Sequence, residues 1–141
     1  MNSFKKKIFI IYGPNMNIIG HKKTLLKNIT LNKINNCLKK SIQAKNYDIK
    51  FLQTNEEGKA INQLQRCRNK IQGIIIFPGP WQNAGYSIND TLEILDIPYV
   101  TVSTGEKVNI ICGKENVNEP DILYGCKLAV EKLFNLIISF R

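Results

Sequence analysis

Phe9-Ile10-Ile11-Tyr12-Gly13-Pro14-Asn15-Met16-Asn17-Ile18-Ile19-Gly20 joins an unbroken apolar run to a loop punctuated by glycine and proline. Continuous Ile and Phe mark a strand buried on both faces, the pattern of a parallel sheet covered by helices. In open α/β sheets the loop that follows such a strand opens onto the ligand crevice. Here it offers two short amides, Asn15 and Asn17, and glycines that let backbone come close to a bound molecule.

Outward from this stretch, strand-like and helix-like segments alternate. Ile8 to Tyr12 is the first strand. Thr30 to Ala44 carries Leu31, Ile34, Leu38 and Ile42 at helical spacing, with Thr30 as an N-cap. Tyr47 to Gln53 alternates apolar and polar residues and predicts a second strand at or near an edge. Glu57 to Lys70 is helical, with Ile61, Leu64 and Cys67 inward. Gly73 to Phe77 is the most apolar strand, stopped by Pro78-Gly79-Pro80.

Ser87 to Leu95 predicts a short helix, Pro98 to Ser103 a fourth strand and Val108 to Cys112 a fifth, with Gly113 to Pro120 as loop. Asp121 caps a last helix through Ile138, whose apolar side is Leu128, Val130, Leu133, Phe134 and Ile137. Short links between alternating elements imply a doubly wound, five-stranded parallel sheet with helices on both faces. No repeat or linker divides the chain, so residues 1–141 are expected to form a single domain. Ligand chemistry should then gather at Gly13 to Lys27, Pro78 to Ala84 and Ser103 to Lys107, the loops at the carboxyl ends of the strands.

Composition narrows the function classes. The net charge of +9 rests almost entirely on Lys scattered among Asn and Ile, with only Arg66, Arg68 and Arg141 as arginines. Without an aromatic-interleaved basic stripe, no nucleic-acid partner is expected. The summed field instead favours a small anionic ligand. No apolar run is long enough to cross a bilayer, so no membrane partner is expected. The basic start before Ile8 lacks a signal-peptide core, and the chain is expected to be cytoplasmic. Cys37, Cys67, Cys112 and Cys126 are too scattered for a metal cage or a disulfide framework and are expected to be reduced packing thiols. No metal or other cofactor is expected. Trp81 is expected at the mouth of the crevice or between subunits, and the lone His21 in a solvated loop.

The opening stretch resembles the Gly-Pro-Asn-Leu-Asn-Leu-Leu-Gly signature of the type II 3-dehydroquinate dehydratases. Gln53-Thr54-Asn55-Glu56-Glu57-Gly58 is similar to that family's Gln-Ser-Asn-His-Glu-Gly. Pro78-Gly79 followed by Ser87-Ile88-Asn89-Asp90-Thr91-Leu92 resembles its Pro-Gly and Ala-Ile-Arg-Asp-Ala-Leu. Pro98-Tyr99-Val100-Thr101-Val102 and Tyr124-Gly125-Cys126 match in order and spacing. The resemblance implies a flavodoxin-like fold and homo-oligomers, trimers that stack into a dodecamer. It also implies loss of water from 3-dehydroquinate, a step of aromatic amino-acid biosynthesis, with neither metal nor covalent intermediate.

Residue by residue, the resemblance also implies losses. Where the family has its tyrosinate base this chain has Lys27, and the Arg that tunes that base is Lys22. The general-acid His falls on Ser103 and the Glu that orients it on Thr101. The pocket Asn at the strand end is Phe77, and the substrate-holding His is Asn83. Asn15 and Asp90 are kept. The catalytic candidates are therefore Asn15, Lys22, Lys27 and Ser103. The substrate-binding candidates are Phe77, Asn83, Asp90 and the backbone at Thr104 and Gly105. Two readings stay open: a dehydratase of weak or altered activity, and an inactive relative kept as a small-anion binder or assembly subunit. Phe77 either dries the pocket floor or simply ends a buried strand.

Overall fold

A computed structural model describes residues 6–21 and 28–139. Five strands, β1 (Lys7–Tyr12), β2 (Asp48–Gln53), β3 (Gly73–Phe77), β4 (Tyr99–Val102) and β5 (Glu115–Val117), form one sheet. They are ordered β2-β1-β3-β4-β5, and every neighbouring pair is parallel. Helices α1 (Leu31–Gln43), α2 (Glu57–Cys67), α3 (Tyr86–Leu95) and α4 (Ile122–Ser139) complete the chain.

The apolar runs explain this layering. Successive strand side chains point to opposite faces, so β1 sends Ile8, Ile10 and Tyr12 into one core and Phe9 and Ile11 into another. The first core meets Ile34, Leu38 and Ile42 of α1 and the long apolar face of α4. The second meets Ala60 and Leu64 of α2 with Ile88 and Leu92 of α3. Every residue of β3 is buried, as a strand covered on both sides requires. Thr30 caps α1, its Oγ1 accepting from Lys33 N at 3.2 Å. Asp121 caps α4, accepting from Leu123 N and Tyr124 N. β2 is the edge strand that its alternating sequence predicts.

Two expectations are corrected. The fifth strand is Glu115–Val117, not Val108 to Cys112. The Gln82 side chain takes the backbone bonds a sheet would have used in the earlier segment, accepting from Asn109 N at 3.0 Å and Ile111 N at 2.8 Å. It also donates to Ile111 O at 2.7 Å, while Ile111 itself is buried in the α2/α3 core. Trp81 is neither at a mouth nor awaiting a second subunit. The 3₁₀ turn Gly79–Asn83 folds it back into that same core at 5% exposure.

The four thiols are free; Cys126 is buried, Cys37 and Cys67 are half-buried and Cys112 is exposed. Among the described residues no helix is long and apolar enough to cross a membrane.

Candidate active site

The strand order reverses direction between β1 and β3: the chain leaves β1 for β2 on one side, then returns to β3 on the other. At such a switch point the two exit loops diverge and leave a hollow. Gly13 sets how closely they start. Its N–H donates to Phe77 O at 2.8 Å, and a Cβ there would stand only 2.6 Å from Pro78 O. Asn15 next adopts a left-handed φ of 72°, a conformation that Asn tolerates better than most residues. Its amide donates to Asn55 Oδ1 at 3.1 Å, and Gln53 Nε2 donates to Gly13 O at 3.2 Å. The loop after β2 therefore props up the loop after β1.

A cavity of about 260 Å³ lies between these exits. Pro14, Asn15, Met16 and Ile19 form its first wall, Gly79, Pro80 and Asn83 the second, and Thr104 and Glu106 the third. The volume lies just under the common range for small-molecule sites, about 300–1,000 Å³, which suits a compact ligand. Another depression, of about 270 Å³, sits at the opposite end of the sheet beside Pro98 and Tyr99. It is remote from the switch point.

The third wall is built by a tight reversal. Gly105 has φ +109°, and nothing lies within 4 Å of where its Cβ would stand, so backbone conformation alone asks for glycine. The reversal brings Glu106 back onto Thr104. The Thr104 amide donates to Oε2 at 3.0 Å and the Thr104 hydroxyl to Oε1 at 2.8 Å. Among the described lining residues Glu106 is the one charged side chain.

Of the candidates named from sequence, Asn15, Asn83 and Thr104 meet around this cavity, with Gly105 as the hinge of its third wall. Phe77 is fully buried in the α1/α4 core, its ring 5.0 Å from that of Tyr12, and does not line the hollow. Asp90 is exposed on α3 and Ser103 is 2% exposed; neither lines the hollow. Ser103 Oγ has no hydrogen-bond partner among the described residues. Thr101 Oγ1 accepts from Gly113 N at 2.9 Å, a structural duty. His21 is exposed at the end of the 3₁₀ segment Met16–His21. Lys22 and Lys27 lie outside the described residues.

Sequence reading missed Glu106. The signal was Thr104-Gly105-Glu106 itself, a hydroxyl and an amide followed by a free-turning glycine and a carboxylate. Met16, Ile19 and Pro80 were also passed over. They supply the apolar lining that a small-molecule site requires.

The model of the family Dehydroquinase class II matches residues 6–109. The 3-dehydroquinate dehydratase of Endomicrobium trichonymphae is 35% identical over 98 residues, which cover 69% of this chain and 68% of that one. The Helicobacter hepaticus protein of the same name is 34% identical over 98 residues, covering 68% and 62%. Matched stretches thus span roughly two thirds of these relatives' lengths. The crystal structure of the type II dehydroquinase from Butyrivibrio crossotus superposes with a TM-score of 0.78, at 24% identity, over 92% of this chain and 98% of that one. That likeness speaks for the fold, and the sequence match speaks for the lineage. This chain belongs to the class II dehydroquinase family.

Proposed function

We propose that the cavity between Asn15, Asn83 and Thr104 binds a small cyclic polyhydroxylated molecule of the 3-dehydroquinate kind, and that the chain dehydrates 3-dehydroquinate weakly. The observation that carries this reading is the meeting of Asn15 and Asn83 around one hollow at the switch point, in a chain of this family. Two neutral amides can each donate to and accept from ligand hydroxyls or a ketone. The role assigned to the Asn15 side-chain carboxamide is to donate to an oxygen that gains charge as a proton leaves the neighbouring carbon.

Lys27 is assigned as the base that takes this proton. It serves only if its pKa is lowered, which Lys22 and Lys23, neighbours in sequence, favour by charge repulsion. The departing hydroxyl then leaves as water with a proton drawn from solvent, because the buried Ser103 hydroxyl has no accessible pKa near neutrality. Loss of an acid group costs on the order of 10²–10⁴-fold in rate. Slow turnover is the result.

A second reading has its own support: Ser103 is buried and is not among the described lining residues, and the lone imidazole, His21, is exposed. It makes the chain a non-catalytic binder or an assembly subunit. Assembly as trimers stacked into a dodecamer and a cytoplasmic location belong to both readings, and light scattering on the purified chain tests the former.

The deciding experiment supplies 3-dehydroquinate and follows the absorbance of the conjugated enone product. The first reading expects slow turnover that Lys27→Ala abolishes and that Asn15→Ala reduces about 10- to 100-fold. Binding of 3-dehydroquinate with no enone formed supports the second. Turnover equal in Lys27→Ala and the parent chain removes Lys27 from the mechanism.

A further inference from the structure

The cavity's third wall already holds an anion. Glu106 folds back through Gly105, at φ +109°, and its two oxygens take up both donors that Thr104 offers, the amide at 3.0 Å and the hydroxyl at 2.8 Å. Thr104 and Glu106 line the hollow together with Asn15 and Asn83. The remaining described walls are neutral. A ligand carboxylate approaching Thr104 would therefore meet a fixed negative charge and find its natural hydrogen-bond donors engaged.

Like charges brought together out of water repel strongly, and removing a group that satisfies a donor leaves that donor open for a newcomer. A hydroxyl or carboxamide suffers no such repulsion and can donate a hydrogen bond to the carboxylate.

We propose that Glu106 is a specificity-determining residue: it turns the site away from carboxylate ligands and towards uncharged cyclic polyols that donate to it. The inference deepens the proposed ligand site and rests on it. It names the preferred class within that chemistry, a polyhydroxylated ring whose acid group is absent or masked as an amide. A carboxylate such as 3-dehydroquinate is then a disfavoured ligand, which gives poor binding a cause separate from the missing proton donors.

The test measures binding of quinate and of its carboxamide by titration calorimetry, on the full chain and on Glu106→Ala and Glu106→Gln. Glu106 is half-buried on a surface loop and bonds only to Thr104 among the contacts described, and circular dichroism verifies that both variants keep the fold. The parent chain is expected to bind the carboxamide about tenfold or more tighter than quinate. Glu106→Ala is expected to reverse that order, because both the negative charge and its hold on the Thr104 donors are removed. Glu106→Gln, which removes the charge but keeps the bulk, is expected to erase most of the preference.

An identical ratio in the parent chain and in Glu106→Ala overturns the role of Glu106 while leaving the ligand site standing. Tighter binding of quinate by the parent chain does the same. Binding of neither probe by any of the three proteins overturns both the inference and the site on which it rests.

Discussion

The Gln82 side chain and the Ile111 backbone bond in both directions: Nε2 donates to Ile111 O at 2.7 Å and Oε1 accepts from Ile111 N at 2.8 Å. An amide side chain thus acts as a strand of one residue, buried at 1% exposure. The same side chain stands one residue before Asn83 of the cavity wall, so loop and site share a support.

Replacing Gln82 with Ala would strand Ile111 N–H and C=O, both buried, and remove the bond to Asn109 N. The expected loss is about 2–4 kcal/mol of folding stability, since unsatisfied buried groups cost more than the net worth of the bonds they made. Urea denaturation followed by tryptophan fluorescence measures it. A change below about 0.5 kcal/mol would show that water replaces the amide there.

Ser103 presents the opposite case. Its Oγ is buried with no partner among the described residues, so Ser103→Ala is expected to remove a desolvated hydroxyl at no cost in hydrogen bonds. Stability should stay level or rise by up to about 1 kcal/mol, and turnover of 3-dehydroquinate should not change. A large drop in turnover with stability intact would return Ser103 to the list of reacting groups.

High pH should unfold the chain early. Burial, helped by the nearby Glu93 carboxylate and the Cys112 thiol, pushes the Tyr99 phenol up to about 12. Burial likewise raises the Tyr12 phenol and the Cys126 thiol above their ordinary 10.0 and 9.0. The folded chain keeps these protons after the unfolded chain has released them. The stability they confer is therefore complete below about pH 9 and falls as pH rises, first through the thiol and then through the phenols. The urea midpoint should be flat from about pH 7 to about pH 8.5 and decline steadily above about pH 9. Tyr99→Phe should flatten the upper part of that decline.

The sequence made most of the sheet legible because its strands are covered on both faces. Ile8 to Tyr12 and Gly73 to Phe77 have nowhere to go but a double-sided core, and the α1 and α4 stripes repeat at helical spacing. β5 was hidden for a physical reason: Glu115–Val117 is three residues long, two of them polar, too short for any period to register. Val108 to Cys112 looked like a better strand, and nothing local reveals that a side chain distant in sequence will take its hydrogen bonds. Trp81 misled for a related reason, since the 3₁₀ turn after Pro78 reverses its direction. At the candidate site, residues of the three nominated loops line one hollow, where Asn15, Asn83 and Thr104 meet. Phe77 joins the α1/α4 core instead because the alternation of a strand, more than its endpoint, decides which core a side chain joins. Glu106 went unnoticed because its role depends on a left-handed glycine that a string of letters does not display.

The register that pairs Tyr12 with Phe77 has a thermodynamic corollary. The walls that carry Asn15 and Asn83 follow β1 and β3, which pair directly although α1, β2 and α2 separate them in sequence. Occupancy is then expected to oppose separation of β1 from β3: a bound molecule would slow hydrogen exchange at the amides that pair these two strands. Fraying at the start of β2, at the far end from the Gln53 and Asn55 props, would go on at the same pace with or without it.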